Sequence, residues 1–262
     1  MQVGLHGEVK VIVKRADGTV RLDTGFFPNV ITNLGLDAIG NDKDLFNFCA
    51  VGGGNSKPLN TNTKLDNFLA VGSPISSESK YDYDPVRDTE FYKCSRTVGY
   101  RFEGLDNKNI SEVGLVADYR PEFHSAYTRT LIKNSAGEPT VITVLSGEIL
   151  ELQYRLWQVF DVKDKDQVVT AMIDGVEVPF NVKIRLAGVG GNLGGSWSYA
   201  AVVGAHLTFR GNNYHQFGTG ELGEITGQNS GLTSFYGLSW EAYQPSTYKR
   251  KFYVNTSITE AV

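Results

Sequence analysis

Four histidines, two runs of carboxylates, two cysteines and two glycine-rich strings are the places where this chain could concentrate chemistry. His6, His124, His206 and His215 include no H-x-x-x-H or H-x-H pair, so the spacing that zinc sites use is missing and each reads as a surface or strand histidine. His206 and His215 could approach each other across a hairpin, but a ligand set would need one or two further groups. Asp82, Asp84, Asp88 and Glu90 lie within Tyr81 to Glu90, where alternate carboxylates could hold calcium or form a glycosidase pair. The glycine and the terminal glutamate of a calcium loop are absent, so a solvated loop is expected here, and likewise around Asp161, Asp164 and Asp166. Gly188-Val189-Gly190 lacks the third glycine of a dinucleotide fingerprint, since position 193 is leucine, and Gly52 to Lys57 lacks the G-K-[ST] of a phosphate loop. Both read as turn glycines. Cys49 and Cys94 sit in strand-like apolar surroundings and are expected as buried thiols that pack as small hydrophobes. No residue is assigned to catalysis, to a cofactor or to a metal, and the expectation is a non-enzyme.

The elements around these residues alternate with period 2. Val9, Val11 and Val13 lead through Asp17-Gly18 to Thr19-Val20-Arg21-Leu22, a hairpin with a tight glycine turn. In Ile149 to Trp157, Leu150, Leu152, Tyr154 and Leu156 share one face and Glu151, Gln153 and Arg155 the other, which predicts a half-buried antiparallel strand central to the core. Phe180 to Leu186 alternates in the same way, and Asp174-Gly175 predicts a second hairpin. Strand is also expected over 46–51, and short helices at 33–40, stopped by Gly40, and at 63–70, where Leu65, Phe68 and Leu69 recur at helical spacing.

Length and charge set the wider frame. A chain of 262 residues with 41% hydrophobic and 21% charged residues can bury a full core, and 29 glycines with 13 tyrosines and 14 phenylalanines suit many strands joined by tight turns. A net charge of −4 and a pI near 5.6 argue against a nucleic-acid partner, and Lys249-Arg250-Lys251 reads as a solvated strand end or interface rim. No apolar run is long enough to insert in a membrane, and Met1 to Val13 alternates where a signal peptide would be apolar. The fold expected is all-β: an antiparallel β-sandwich or jelly-roll-like core with short helices and a second, Gly-rich β region. The polar stretch Asp161 to Asp166 divides it into 1–160, a β-sandwich domain, and 161–262, a glycine- and aromatic-rich part that is either a second domain or an insertion with closing strands.

One series of strings resembles a known group. Thr24-Gly25-Phe26-Phe27-Pro28-Asn29-Val30-Ile31-Thr32-Asn33-Leu34-Gly35-Leu36-Asp37 is similar to the opening of a broad group of tailed-bacteriophage virion proteins, of tail-fibre, baseplate and collar type. Cys49 to Gly54, Leu65 to Ala70, Ile110-Ser111-Glu112-Val113-Gly114-Leu115, Thr128 to Lys133, Glu138 to Leu145 and Glu148 to Leu156 resemble later strings of that group, in the same order over roughly the first 160 residues. The resemblance implies a structural component of a virion, made in the host cytoplasm, whose partners are other virion proteins and copies of itself. The region 187–236 departs from the pattern.

That departing region is expected to supply subunit contacts through Leu193, Trp197, Tyr199, Tyr214, Phe217, Phe235 and Tyr236, set among glycines that let backbones approach closely. Two other readings stand beside it. Trp197, Tyr199, Tyr214, Phe235, Tyr236 and Trp240 could stack on sugar rings of a host-surface glycan or receptor. A depolymerase on a fibre would need a carboxylate pair in a groove.

Overall fold

The structure is a computed structural model that describes residues 3–41, 43–82, 91–122, 124–161, 163, 165–184, 215–218, 232–235, 238–249 and 252–254. Eight antiparallel strands close a barrel: β1 (Val3–Lys14), β2 (Val20–Ile31), β3 (Phe48–Gly52), β4 (Phe68–Asp82), β5 (Phe91–Phe102), β7 (Glu112–Val116), β8 (Thr128–Leu131) and β10 (Ile149–Asp161). Their order around the barrel is β1-β10-β5-β4-β3-β7-β8-β2. The all-β expectation holds. Where the sequence suggested a sandwich or jelly-roll-like core, these strands form one closed sheet, because Val30 and Ile31 of β2 pair with Arg129 and Thr128 of β8 and join the two edges that a sandwich would leave open.

Closure needs strong local twist, and β2 provides it. The β1–β2 register slips between Lys10 and Ile12, where Gly25 takes a φ of 68° and the Thr24 hydroxyl accepts the Val11 amide at 3.0 Å. The β1–β2 turn itself is the predicted one, with Gly18 at a φ of 85°.

Alternation then fills the inside of the barrel. Val9, Val11, Val13, Val98, Tyr100, Leu150, Leu152 and Tyr154 are buried, with the Tyr100 hydroxyl donating to the Phe46 carbonyl at 2.6 Å. The facing predicted for β10 is therefore correct. Cys49 is fully buried among them and burial pushes its thiol pKa far up, so it packs as an inert apolar group; the side chain of Cys94 lies outside the described residues. Outside the barrel, Lys14 and Arg101 flank Glu151 at 2.6 and 2.8 Å. Arg155 lies 3.8 Å above the Phe26 ring and 3.5 Å from Glu8, which also accepts from Trp157 at 2.9 Å.

The charged outer face makes the fold acid-sensitive. Burial opposes ionisation of Glu151, but hydrogen bonds from Lys14 and Arg101 outweigh it and hold the carboxyl below its usual 4.5. Hydrogen bonds from Arg21 do the same for Glu148. Folded-state values lower than unfolded ones give stability that is present above pH 4.5 and is lost as pH falls through the folded values. Melting temperatures are thus expected to fall steeply below about pH 4.5 and less steeply in Glu151→Gln. An identical acid limb in the variant would exclude this source.

The two ends of the barrel are closed differently. The short strands β6 (Lys108–Ile110) and β9 (Ile142–Val144) pair across one end and bury Ile110, Ile142 and Val144 in the core. Helix α1 (Asn33–Gly40) lies at the other, as the sequence predicted. Thr32 caps it, accepting the Gly35 amide at 3.1 Å and donating to the Ala126 carbonyl at 2.7 Å. Gly35 is required because a Cβ there would run into the Tyr127 carbonyl. The chain returns to this end at Glu241–Lys249: the Tyr243 hydroxyl and the Ser246 amide each meet Asp37 Oδ1 at 2.7 Å, and the Tyr243 ring lies against Gly40.

One predicted helix is absent. Residues 63–67 are irregular and β4 begins at Phe68, because the Asp66 and Asn67 amides are taken by the Glu112 carboxylate instead of a helical carbonyl. Leu65, one of the apolar residues at helical spacing, packs with Ala50, Val116 and Ala126.

Candidate interaction surface

Two features outside the barrel interior concentrate unusual residues, one buried and one exposed. The buried one is ionic. Arg129 and Glu112 have no solvent exposure at all, and Arg129 Nε donates to Glu112 Oε2 at 2.8 Å. The other guanidinium nitrogens reach Asp66 at 2.6 Å, Asn62 Oδ1 at 3.1 Å and the Ser56 carbonyl at 3.2 Å. Glu112 Oε1 accepts the amides of Gly54 and Asn67 at 3.0 and 2.8 Å, and Oε2 also accepts that of Asp66 at 3.1 Å. Hydrogen bonds from Ser56, and then the Arg129 guanidinium, hold Asp66 below the usual carboxylate range.

Both oxygens of Glu112 and all three nitrogens of Arg129 are engaged, so the cluster is built to fix the segment 54–67 against β7 and β8 rather than to move a proton. It also accounts for the glycine string after β3. A Cβ at Gly52 or Gly54 would strike the Glu112 side chain, so these glycines make room for a carboxylate and not for a phosphate.

The exposed feature is a two-stranded ribbon of β11 (Lys165–Ile173) and β12 (Val176–Ile184), which among the described residues pairs with no strand of the barrel. Asp174 and Gly175, at φ of 49° and 78°, form the predicted turn. The register puts Val169 opposite Phe180, Ala171 opposite Val178 and Ile173 opposite Val176, so one face is apolar along most of its length. Phe180 is 43% exposed and Val176 62%; on the opposite face Val168 is 64% and Met172 61% exposed. A hairpin of two strands is marginal in water by itself, and exposed apolar side chains on both of its faces are the unusual feature of this ribbon.

Most of the residues singled out in the sequence lie elsewhere. Leu193, Trp197, Tyr199, Tyr214 and Tyr236 fall outside the described residues, as do His206, Asp84, Asp88 and Glu90. Phe217 and Phe235 are placed by backbone only, in β13 (His215–Gly218) and β14 (Leu232–Phe235), where Phe235 stands opposite His215. Trp240 ends β15 (Leu238–Trp240), which pairs with β16 (Phe252–Val254). His6 is exposed beside Glu8, whereas His124 is buried against the Phe68 ring. Among the described residues no group of three or more His, Cys, Asp or Glu side chains is placed to hold a metal ion, and no helix is long and apolar enough to cross a membrane.

Sequence reading passed over the ribbon as a contact surface and the ionic cluster altogether. The signal for the cluster was a charge inside an apolar strand, Glu112 in Ile110 to Leu115, together with Arg129 at the start of Thr128 to Lys133. Fold and surface together define an antiparallel β-barrel protein that carries an apolar ribbon. No protein-family model, curated protein or solved structure matches this chain.

Proposed function

We propose that this protein is a non-enzymatic structural component of a tailed-bacteriophage virion, part of its tail, baseplate, fibre or collar, that works by contacts with other virion proteins and with copies of itself. The collinear strings of the first 160 or so residues support the virion assignment, and the observation that carries the contact role is the ribbon β11–β12 with its exposed Val169, Val176 and Phe180. Residues on such a face contribute little to the stability of the free chain and much to an interface that buries them. The double substitution Val169→Ser with Phe180→Ser is therefore expected to leave the melting temperature of the purified protein within a few degrees. The same substitution should reduce incorporation into particles at least tenfold in a complementation assay. Normal incorporation of the folded variant would refute the ribbon as the contact.

A further inference from the structure

A short loop ties the C-terminal part of the chain to the α1 end of the barrel. Glu241–Lys249 lies in the connection between β15 and β16, which pair with Trp240 opposite Phe252. Gln244-Pro245-Ser246-Thr247 makes a tight turn: the Thr247 amide donates to the Gln244 carbonyl at 3.3 Å, proline fills the place that suits its fixed φ, and Ser246 takes a φ of 63°. Glycine or asparagine is the usual residue at that third place, so serine there carries a cost. Tyr248, at a φ of 51° and 48% exposed, adds a second.

Two residues of α1 offset that cost. Asp37 Oδ1 accepts both the Tyr243 hydroxyl and the Ser246 amide, each at 2.7 Å, so one carboxylate oxygen fixes the turn and the residue before it. Of residues 241–249 only Tyr243 is sheltered, and the rest are exposed. Its ring lies on Gly40, where a Cβ would run into it. Gly40 belongs to the helix and has no positive φ, so its backbone would accept alanine, the better helix former; the Tyr243 ring is what keeps the position bare.

We propose that this loop is a latch, which docks on Asp37 and Gly40 and comes off as a unit while the barrel stays folded, so that the β15–β16 hairpin is carried either fastened to α1 or free of it. A closed state held by one carboxylate oxygen and one ring, against two residues in the left-handed region, lies close to balance with the open one. Opening parts no strand of the barrel, and α1 keeps its cap at Thr32. A latch needs no virion, so its failure leaves the proposed function intact.

Amide exchange of the full-length protein, read together with its melting temperature, tests the latch. The Ser246 amide is expected to exchange at least a hundredfold faster than that of Leu152, which opens only with the barrel, and at least tenfold slower than in an unstructured peptide. Gly40→Ala, which favours the helix and evicts the ring, should bring Ser246 to the peptide rate without lowering the melting temperature. Asp37→Ala should do the same to Ser246 and leave the melting temperature within a few degrees. Ser246→Gly removes the cost of the turn and should slow exchange at its own position at least threefold, relative to the matching peptide. Exchange of Ser246 at the Leu152 rate would make the loop a fixed part of the fold, and exchange at the peptide rate in the unaltered protein would mean that it never docks. Either result overturns the latch, as does an unmoved Ser246 rate or a lowered melting temperature in Gly40→Ala.

Discussion

Arg129→Met is expected to destabilise the protein by about 3–5 kcal/mol, the cost of leaving one member of a buried ion pair without its counter-charge. Glu112 would then sit with no solvent exposure and no cation, holding only the amides of Gly54, Asp66 and Asn67. The double substitution Glu112→Leu with Arg129→Met separates this cluster from a simple ion pair. Apolar replacement of both partners often restores stability to a simple pair, but here it strands the buried amide of Gly54, at about 1–3 kcal/mol for a buried unpaired group, and the part-buried amides of Asp66 and Asn67, which lose their acceptor at a smaller cost. The double variant is therefore expected to be no more stable than Arg129→Met. Urea unfolding measures both, and full recovery in the double variant would show that the cluster does not hold segment 54–67.

Leu152→Ala is expected to cost about 2–5 kcal/mol, because Leu152 is fully buried in the barrel between Val11 of β1 and Tyr100 of β5. Gln153→Ala, one residue on and facing outward, should change stability by no more than about 0.5 kcal/mol. Equal shifts of the unfolding midpoint would contradict the inward facing of Leu150, Leu152, Tyr154 and Leu156.

What could be read from the sequence was local, and what could not was the pairing of distant segments. The β1–β2 hairpin, the Asp174-Gly175 turn, α1 and the facing of β10 each depend on residues within one short window, so alternation and turn chemistry determined them. Closure of the barrel depends on Val30 and Ile31 meeting residues about a hundred positions later, which no local pattern encodes. The failed helix at 63–70 has the same cause. Its apolar spacing was genuine, but a carboxylate from β7 captured the amides that a helix would have used. The site was less legible than the fold. The ribbon was foreseen as strands but not as a surface, since the same alternating residues would be core if a sheet covered them. The ionic cluster was hidden because its members, 66, 112 and 129, are far apart in the chain.

The role proposed for this chain is that of a structural part of a phage particle. It is tested most directly by quantitative mass spectrometry of infectious particles purified on a density gradient, against the lysate from which they came. The protein is expected in the particles at a fixed copy number relative to the other virion proteins, retained through repeated purification. Recovery of the protein in the lysate but not in the particles would contradict it.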